Sequence, residues 1–357
     1  MNRLVDTVCT SISRAEKTRV LDWRFSYSSV RVEEPHLVLV ELSREEVKRD
    51  LLADLGAVSR GEGPDGAIEI DTGGAAIRIR LLRPKPDSLL WVTTSVADVR
   101  REPVHTAELV NQLIMGETAE ELKREGDWIL ARLPDGYHGW ICSWYVSAVA
   151  RATVEEYEAR ANVRVGSNIG YVLSEPRIGA IPISDIVAGC RLAAGERSDG
   201  FREVVLPVDK KGFINNNELE ALHPVVPSRS CLVRTAHRFI GVPYQWGGTS
   251  AKAFDCSGLV KRVFQLEGVE LPRDSDLQAR EGSPIPLGEL AGALPGDLLF
   301  FGEGETIKHV AILIGNGRFI HAYGWVRINS LREDDPLYEQ KLASSLLTAR
   351  SLLGGAR

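Results

Sequence analysis

The chain has 357 residues, with 43 Lys plus Arg against 49 Asp plus Glu and a formal net charge of −6. That balance argues against nucleic acid or an anionic membrane as the main partner, while 44% hydrophobic residues suffice for cores in two or three domains. Five scattered cysteines, an odd number, form no disulfide framework, and no run of about 18 apolar residues marks a membrane span.

The first residues, MNRLVDTVCTSISRAEKTR, lack the continuous apolar core of a signal peptide, which sets the expectation of a cytoplasmic protein. HLVLVE then predicts a strand. SREEVKRDLLADL predicts a helix opened by Ser43, with Glu46 at capping-box spacing, and AIEIDTGGAAIRIRLL a strand pair around Gly73-Gly74. Residues 1–85 therefore read as a small α+β region, with a scaffold or interaction role as the default.

An internal repeat follows. WILARLPDGYHGWI, from Trp128 to Ile141, aligns with FREVVLPVDKKGFI, from Phe201 to Ile214, at a constant offset of 73 residues. Leu133-Pro134 matches Leu206-Pro207, Gly139 matches Gly212, and Trp140 matches Phe213. Each copy alternates as a strand, turns, and resumes as a strand, which predicts two small β-barrels. They resemble bacterial SH3-like domains, at about residues 86–150 and 151–226. LHPVVPSRS, residues 222–230, reads as the linker into the last domain, 227–357.

That last domain carries the chemistry. In GVPYQWGGTSAKAFDCSGLVKRVF, Cys256 stands where a glycine-rich loop becomes a helix, with Leu259, Val260, Val263, Phe264 and Leu266 at helical spacing and Gly268 as the stop. Backbone N–H groups and the positive dipole end at a helix start favour a thiolate, the nucleophilic form of cysteine. Gly247 and Gly248 are expected to let the backbone approach a substrate closely. The alternative is a buried structural cysteine.

A cysteine nucleophile needs a base. His309 opens HVAILIG and His321 lies in FIHAY, with Gly315-Asn316-Gly317 between them, so the pair reads as a β-hairpin. A two-residue Asn-Gly turn with strict alternation puts the histidines on opposite faces. A three-residue loop pairs Ile314 with Arg318 and Ala311 with His321, leaving His309 on the same face as His321. At the ~7–8 Å of diagonal neighbours two imidazoles can meet, which permits a relay of nucleophile, base and orienting group. The other histidines are weaker candidates: His237 on a short helix, His36, His105 and His223 near prolines, and His138 as a solvated loop residue. There is no C-x-x-C and no H-E-x-x-H, so no metal is expected.

PYQWGG, FDCSGLV, the PGDLLFF strand at 295–301, HVAILIG and FIHA together resemble, in order and spacing, the NlpC/p60 cysteine peptidases over roughly residues 230–350. The resemblance implies a papain-like α+β fold and hydrolysis of bacterial wall peptides after γ-linked D-glutamate, with no organic cofactor. Carried over by motif, Cys256 is the nucleophile, His309 the base and His321 the orienting member, and Tyr244 contributes oxyanion or substrate contacts. Asp274 and Ser275 in LPRDSDLQA are implied to line the substrate site, while Arg273 reads as a surface residue or, alternatively, as a contact to a substrate carboxylate. Asp255 contacts substrate or caps the helix, and Ser257 joins the substrate-binding set. In relatives with tandem barrels the first barrel narrows the cleft, so Glu102 and Tyr137 are expected to hold a free substrate amino terminus.

The leading expectation is therefore a cytoplasmic endopeptidase that cuts the γ-D-glutamyl-L-diamino acid bond of murein peptides bearing a free N-terminal L-Ala, in wall-peptide recycling. The alternatives are an exported autolysin cutting intact peptidoglycan and a non-enzymatic wall-binding protein. Neither the preferred diamino acid nor the oligomeric state has a sequence signal.

Overall fold

The computed structural model describes residues 2–18, 24, 26–34, 37–55, 67–71, 76–222 and 226–353. His36, His223 and the Gly73-Gly74 turn lie outside the described residues. The chain forms two compact units, residues 1–89 with 119–140 and residues 90–118 with 141–357, so the predicted first barrel contributes to both. Helices and largely antiparallel sheets are mixed, as in an α+β protein.

In the first unit a four-stranded sheet runs in the order Ser28–Glu34, Leu37–Leu42, Ala76–Leu81, Ile68–Asp71. Its central pair is parallel, in register from Leu37 beside Ala76 to Leu42 beside Leu81, and both outer pairs are antiparallel. Alternate residues Val40, Leu42, Ile77 and Ile79 face one way and are covered by Val8 and Ile12 of the helix Asn2–Thr18 and Val47 and Leu51 of Glu45–Asp54. The first of these helices went unread in the sequence. The expected capping box is absent: Arg44 is the N-cap, and Ser43 Oγ instead accepts from the Tyr27 N–H at 2.7 Å. A hairpin of Thr118–Glu125 and Trp128–Arg132 buries Leu122, Leu130 and Trp140 with Leu82, and Tyr27 meets Trp140 edge-on. His138, expected in a solvated loop, opens the strand His138–Cys142 and is buried, which pulls it down to about 4.

The repeat is longer than the sequence disclosed. Val96–Arg100, Leu109–Ile114, Thr118–Glu125, Trp128–Arg132 and His138–Cys142 recur 73 residues later, with the same lengths, as Ile169–Leu173, Pro182–Val187, Arg191–Ser198, Phe201–Val205 and Lys211–Asn215. The one-turn helix Ser143–Tyr145 recurs as Asn216–Glu218. In the second unit the later copy is a seven-stranded sheet ordered Pro182–Val187, Ile169–Leu173, Lys211–Asn215, Phe201–Val205, Arg191–Ser198, Val163–Val165, Leu219–Ala221. The helix Arg151–Arg160 precedes it, and Tyr157 donates from its hydroxyl to the Val205 carbonyl at 2.8 Å.

The rest of the second unit is a six-stranded sheet in the order Ser283–Ile285, Leu346–Ser351, Leu298–Glu303, Thr306–Gly315, Arg318–Tyr323, Trp325–Ser330. One face, through Phe300, Val310, Ile312 and Ile320, packs with Leu259, Val263 and Phe264 of the helix Cys256–Leu266. The other face buries Leu299, Phe301, Ala311, Leu313 and Phe319. Strand alternation thus supplies two cores.

A hairpin of Val96–Arg100 and Leu109–Ile114 docks onto the segment before the helix Cys256–Leu266. Gln112 Oε1 accepts from the Thr249 N–H at 3.1 Å and from Ser250 Oγ at 3.1 Å, while its Nε2 donates to Asp98 at 3.0 Å. Trp246 Nε1 donates to Glu108 at 2.8 Å. The docking explains Gly247 differently from the sequence reading. Its φ is +78°, and a Cβ there would stand 2.2 Å from the Leu109 carbonyl oxygen, while one on Gly248 would meet the Ala253 oxygen at 2.6 Å. Both glycines serve backbone packing within the protein. Gly247→Ala is expected to destabilise by more than about 2 kcal/mol, whereas Gly241→Ala, with φ of +90° and nothing within 4 Å, pays only the left-handed penalty of about 1 kcal/mol. Denaturant unfolding of the two variants checks the difference.

Candidate active site

Cys256 is the first residue of the helix Cys256–Leu266, as its sequence context predicts, and Asp255 is the N-cap. Asp255 Oδ1 accepts from the Gly258 N–H at 2.7 Å, a cap that contributes about 1 kcal/mol. The same carboxylate receives the Gly247 N–H at 2.9 Å, Ser257 Oγ at 3.2 Å, and Arg273 through both terminal nitrogens, with Nη1 at 3.1 Å. Arg273 Nη1 also donates to Ser257 Oγ at 2.9 Å. Arg273, expected at the surface, is only 2% exposed. Asp255 and Ser257 are buried with it, so these two belong to the framework beneath the nucleophile and are turned away from an open substrate surface. Gln278 locks the framework from below, donating to the Ser257 and Pro272 carbonyls at 3.0 and 2.9 Å.

The histidine hairpin reaches the same-face arrangement by a route between the two considered. Asn316 and Gly317 both have positive φ, 51° and 72°, which makes a two-residue turn of the primed type. Gly315 pairs with Arg318, but a bulge between Leu313 and Gly315 absorbs one residue, so Ile312 lies opposite Ile320. The bulge restores the face that the turn alone would have reversed. His309 Nε2 and His321 Nδ1 are then 2.8 Å apart.

A fourth member was missed by sequence reasoning. His321 Nε2 is 2.9 Å from Asn329 Oδ1, and Asn329 Nδ2 donates to the Leu337 carbonyl at 3.1 Å. The signal was in the next strand: His321 lies opposite Arg327, so Asn329 is its diagonal neighbour on the same face. The carbonyl of Leu337 fixes every tautomer behind it. Asn329 must present its oxygen to His321, so His321 carries its proton on Nε2, accepts at Nδ1, and takes the Nε2 proton of His309. His309 Nδ1 is left as the lone-pair nitrogen, the atom available as a base.

Burial pushes the Cys256 thiol up to about 12, reinforced by the Asp255 carboxylate, while N–H groups of Val310 and Ser257 and the Arg273 charge pull the other way. Val310 follows His309 in the chain, so its N–H ties the sulfur to the hairpin. Burial also lowers His309, to about 3, helped by His321 and Arg327, and lowers His321 to about 4. These shifts oppose the thiolate-favouring pull of the helix start. A thiolate and an imidazolium form here only together, each offsetting the cost of the other.

Tyr244 is half-buried, and burial with the neighbouring Cys256 and Asp255 raises its phenol to about 12, so it stays a donor at neutral pH. Asp274 and Ser275, both half-buried, are the N-cap and first residue of the short helix Ser275–Gln278, directly after Arg273. Glu102 is exposed on the loop between Arg100 and Leu109, whose far end is tied to Trp246 through Glu108. Tyr137 belongs to the first unit and is 2% exposed, so its ring is enclosed where an open cleft-facing side chain was expected. Among the described residues no group of three or more His, Cys, Asp or Glu is arranged to hold a metal ion, and all five cysteines are free.

A thiol at a capped helix start, beside an imidazole relay with a defined base nitrogen, is the equipment of a cysteine hydrolase. The sequence profile of the NlpC/P60 family matches residues 241–345, and that of the bacterial SH3 domain matches 95–147. A Lysinibacillus sphaericus protein named dipeptidyl-peptidase 6 is 31% identical over 279 residues, covering 73% of this chain and 98% of that protein. A Bacillus cereus γ-D-glutamyl-L-lysine dipeptidyl-peptidase is 26% identical over 294 residues, covering 78% of this chain and 84% of that protein. In fold, the chain resembles the crystal structure of an NlpC/P60 family protein from Bacillus cereus, with TM-score 0.64 at 23% identity, covering 74% of this chain and 100% of the other. The chain belongs to the NlpC/P60 family and is a cysteine peptidase.

Two outcomes follow from the relay. Asn329→Ala frees the His321 tautomer and is expected to lower kcat roughly ten- to a hundredfold with little change in KM, read by steady-state kinetics. Burial of neutral His321, which is fully enclosed, makes the unfolded chain the better proton binder between the ordinary value near 6.5 and about 4. Stability therefore falls as pH falls through that window, and His321→Gln should flatten the slope by up to about 1.4 kcal/mol per pH unit in urea titrations.

Proposed function

We propose that this peptidase hydrolyses the γ-D-glutamyl-L-diamino acid bond of murein-derived peptides that carry a free N-terminal L-Ala, in the cytoplasmic recycling of wall fragments. The observation that carries the reading is the hydrogen-bond chain from Leu337 through Asn329 and His321 to His309, which leaves one basic nitrogen on the strand whose Val310 N–H meets the Cys256 sulfur. The names of the relatives supply the bond.

In this mechanism Cys256 Sγ attacks the γ-carbonyl carbon as its proton passes to His309 Nδ1. The Tyr244 hydroxyl, kept protonated, donates to the developing oxyanion. His309 returns the proton to the leaving amine of the diamino acid, and the L-Ala-γ-D-Glu thioester remains on Cys256. Water, deprotonated by His309, then releases the dipeptide and restores the thiol. The free-amine requirement draws support from two carboxylates: Asp274 beside the buried framework, and Glu102 on the loop that the Glu108 bond to Trp246 tethers.

The test compares L-Ala-γ-D-Glu-meso-diaminopimelate with its N-acetylated form and with intact sacculi. Cleavage of the free-amine peptide, with at least about a tenfold loss of kcat/KM on acetylation, is the expected result. Equal cleavage of the acetylated peptide contradicts amine recognition, and release of peptides from sacculi contradicts restriction to small fragments.

A further inference from the structure

One arginine flanks the histidine relay. Arg327 lies opposite His321 in the strand register. Its guanidinium carbon is 5.3 Å from the ring centre of Tyr323 and 5.0 Å from that of Trp325, within cation–π range of both. The two rings are open to solvent, at 53% and 49% exposure. Tyr323 lies parallel to His321, with ring centres 6.2 Å apart and planes at 4°, and is 6.1 Å from His309.

The arginine is also unmatched. Among the described residues no carboxylate forms an ion pair with it, and its Nε, shielded from solvent, has no hydrogen-bond partner. Arg318, at the start of its strand, and Arg332, just after the next one, hold Asp335 and Asp334 respectively. In a chain with more acidic than basic residues, an arginine fixed by two aromatic rings and given no counter-ion is preorganised for an anion from outside. Its side of the site follows from proton transfer. His309 must reach the leaving amine, so the leaving residue lies toward the imidazole pair and the aromatic rings that flank it.

We propose that Arg327, held between Tyr323 and Trp325, binds a carboxylate of the leaving diamino acid, so that the enzyme selects peptides whose leaving residue carries a free carboxylate. The inference rests on the peptidase reading above. The carboxylate has two possible sources, the α-carboxylate of any terminal diamino acid and the distal one of diaminopimelate, and the substrates separate them.

The experiment measures kcat/KM of the wild type, Arg327→Met and Arg327→Lys on L-Ala-γ-D-Glu-L-Lys, its C-terminal amide, L-Ala-γ-D-Glu-meso-diaminopimelate and the α-amide of that peptide. The wild type is expected to favour the lysine acid over its amide by about ten- to a hundredfold, mainly through KM. Arg327→Met should remove that preference and Arg327→Lys should restore part of it. Retention of full activity on the diaminopimelate α-amide assigns the contact to the distal carboxylate. An acid preference that survives Arg327→Met, or a wild type with no preference on either pair and equal kcat/KM on the lysine and diaminopimelate acids, overturns the proposal. Calorimetry of the same peptides with Cys256→Ala reads the contact without cleavage. If the wild type cleaves nothing while Cys256→Ala still binds the acids more tightly than the amides, the activity reading falls and the carboxylate contact stands.

Discussion

The Asp255 carboxylate is the constraint on which the rest of the site depends. One oxygen caps the nucleophile helix at Gly258, and the other holds the Gly247 N–H of the preceding glycine loop. Both meet the Arg273 guanidinium, which also takes Ser257. Loop, helix start and the 271–279 segment are thereby pinned to one buried charge. Removing one partner of such a pair leaves the other charge unpaired in the interior, a cost of roughly 3–5 kcal/mol. The pair therefore fixes where Cys256 sits, and Asp274 and Ser275 inherit their place from Arg273, their neighbour in the chain.

Electrostatics then decide how the nucleophile works. A helix start stabilises a thiolate, but the effect is of the order of 0.3–1 kcal/mol at ordinary sites. Burial, with the adjacent Asp255, acts in the opposite sense on Cys256 and raises it, while burial, with His321 and Arg327, lowers His309. In the proposed mechanism one proton therefore passes between neutral partners, and the chain of hydrogen bonds that ends on the Leu337 carbonyl fixes which nitrogen of His309 receives it. Tyr244, held neutral by burial, keeps the proton that the proposed mechanism directs to the oxyanion.

Much of this was legible in the sequence, for identifiable reasons. The helix after Cys256 has an apolar stripe and a glycine stop, and the strands around His309 and His321 alternate with period two, so local patterns sufficed. The tandem repeat was readable because the Leu-Pro pair and the aromatic-Ile ending recur at fixed spacing. Asn329 escaped because its role depends on the register of a strand beyond the hairpin, and Arg273 because an arginine reads as a surface residue unless its buried partner is known. The bulge at Leu313–Gly315 escaped because turn chemistry and strand parity gave opposing answers, and only packing chose between them. The capping box at Ser43 failed because that hydroxyl was engaged by the Tyr27 backbone instead.

The central claim is that hydrolysis passes through the Cys256 sulfur with His309 as its base. It is tested most directly by the turnover of L-Ala-γ-D-Glu-L-Lys by the folded Cys256→Ala protein, with circular dichroism confirming the fold. The account predicts that release of L-Lys falls to the uncatalysed background. Retention of a substantial fraction of wild-type kcat would contradict it, whatever the state of the remaining site.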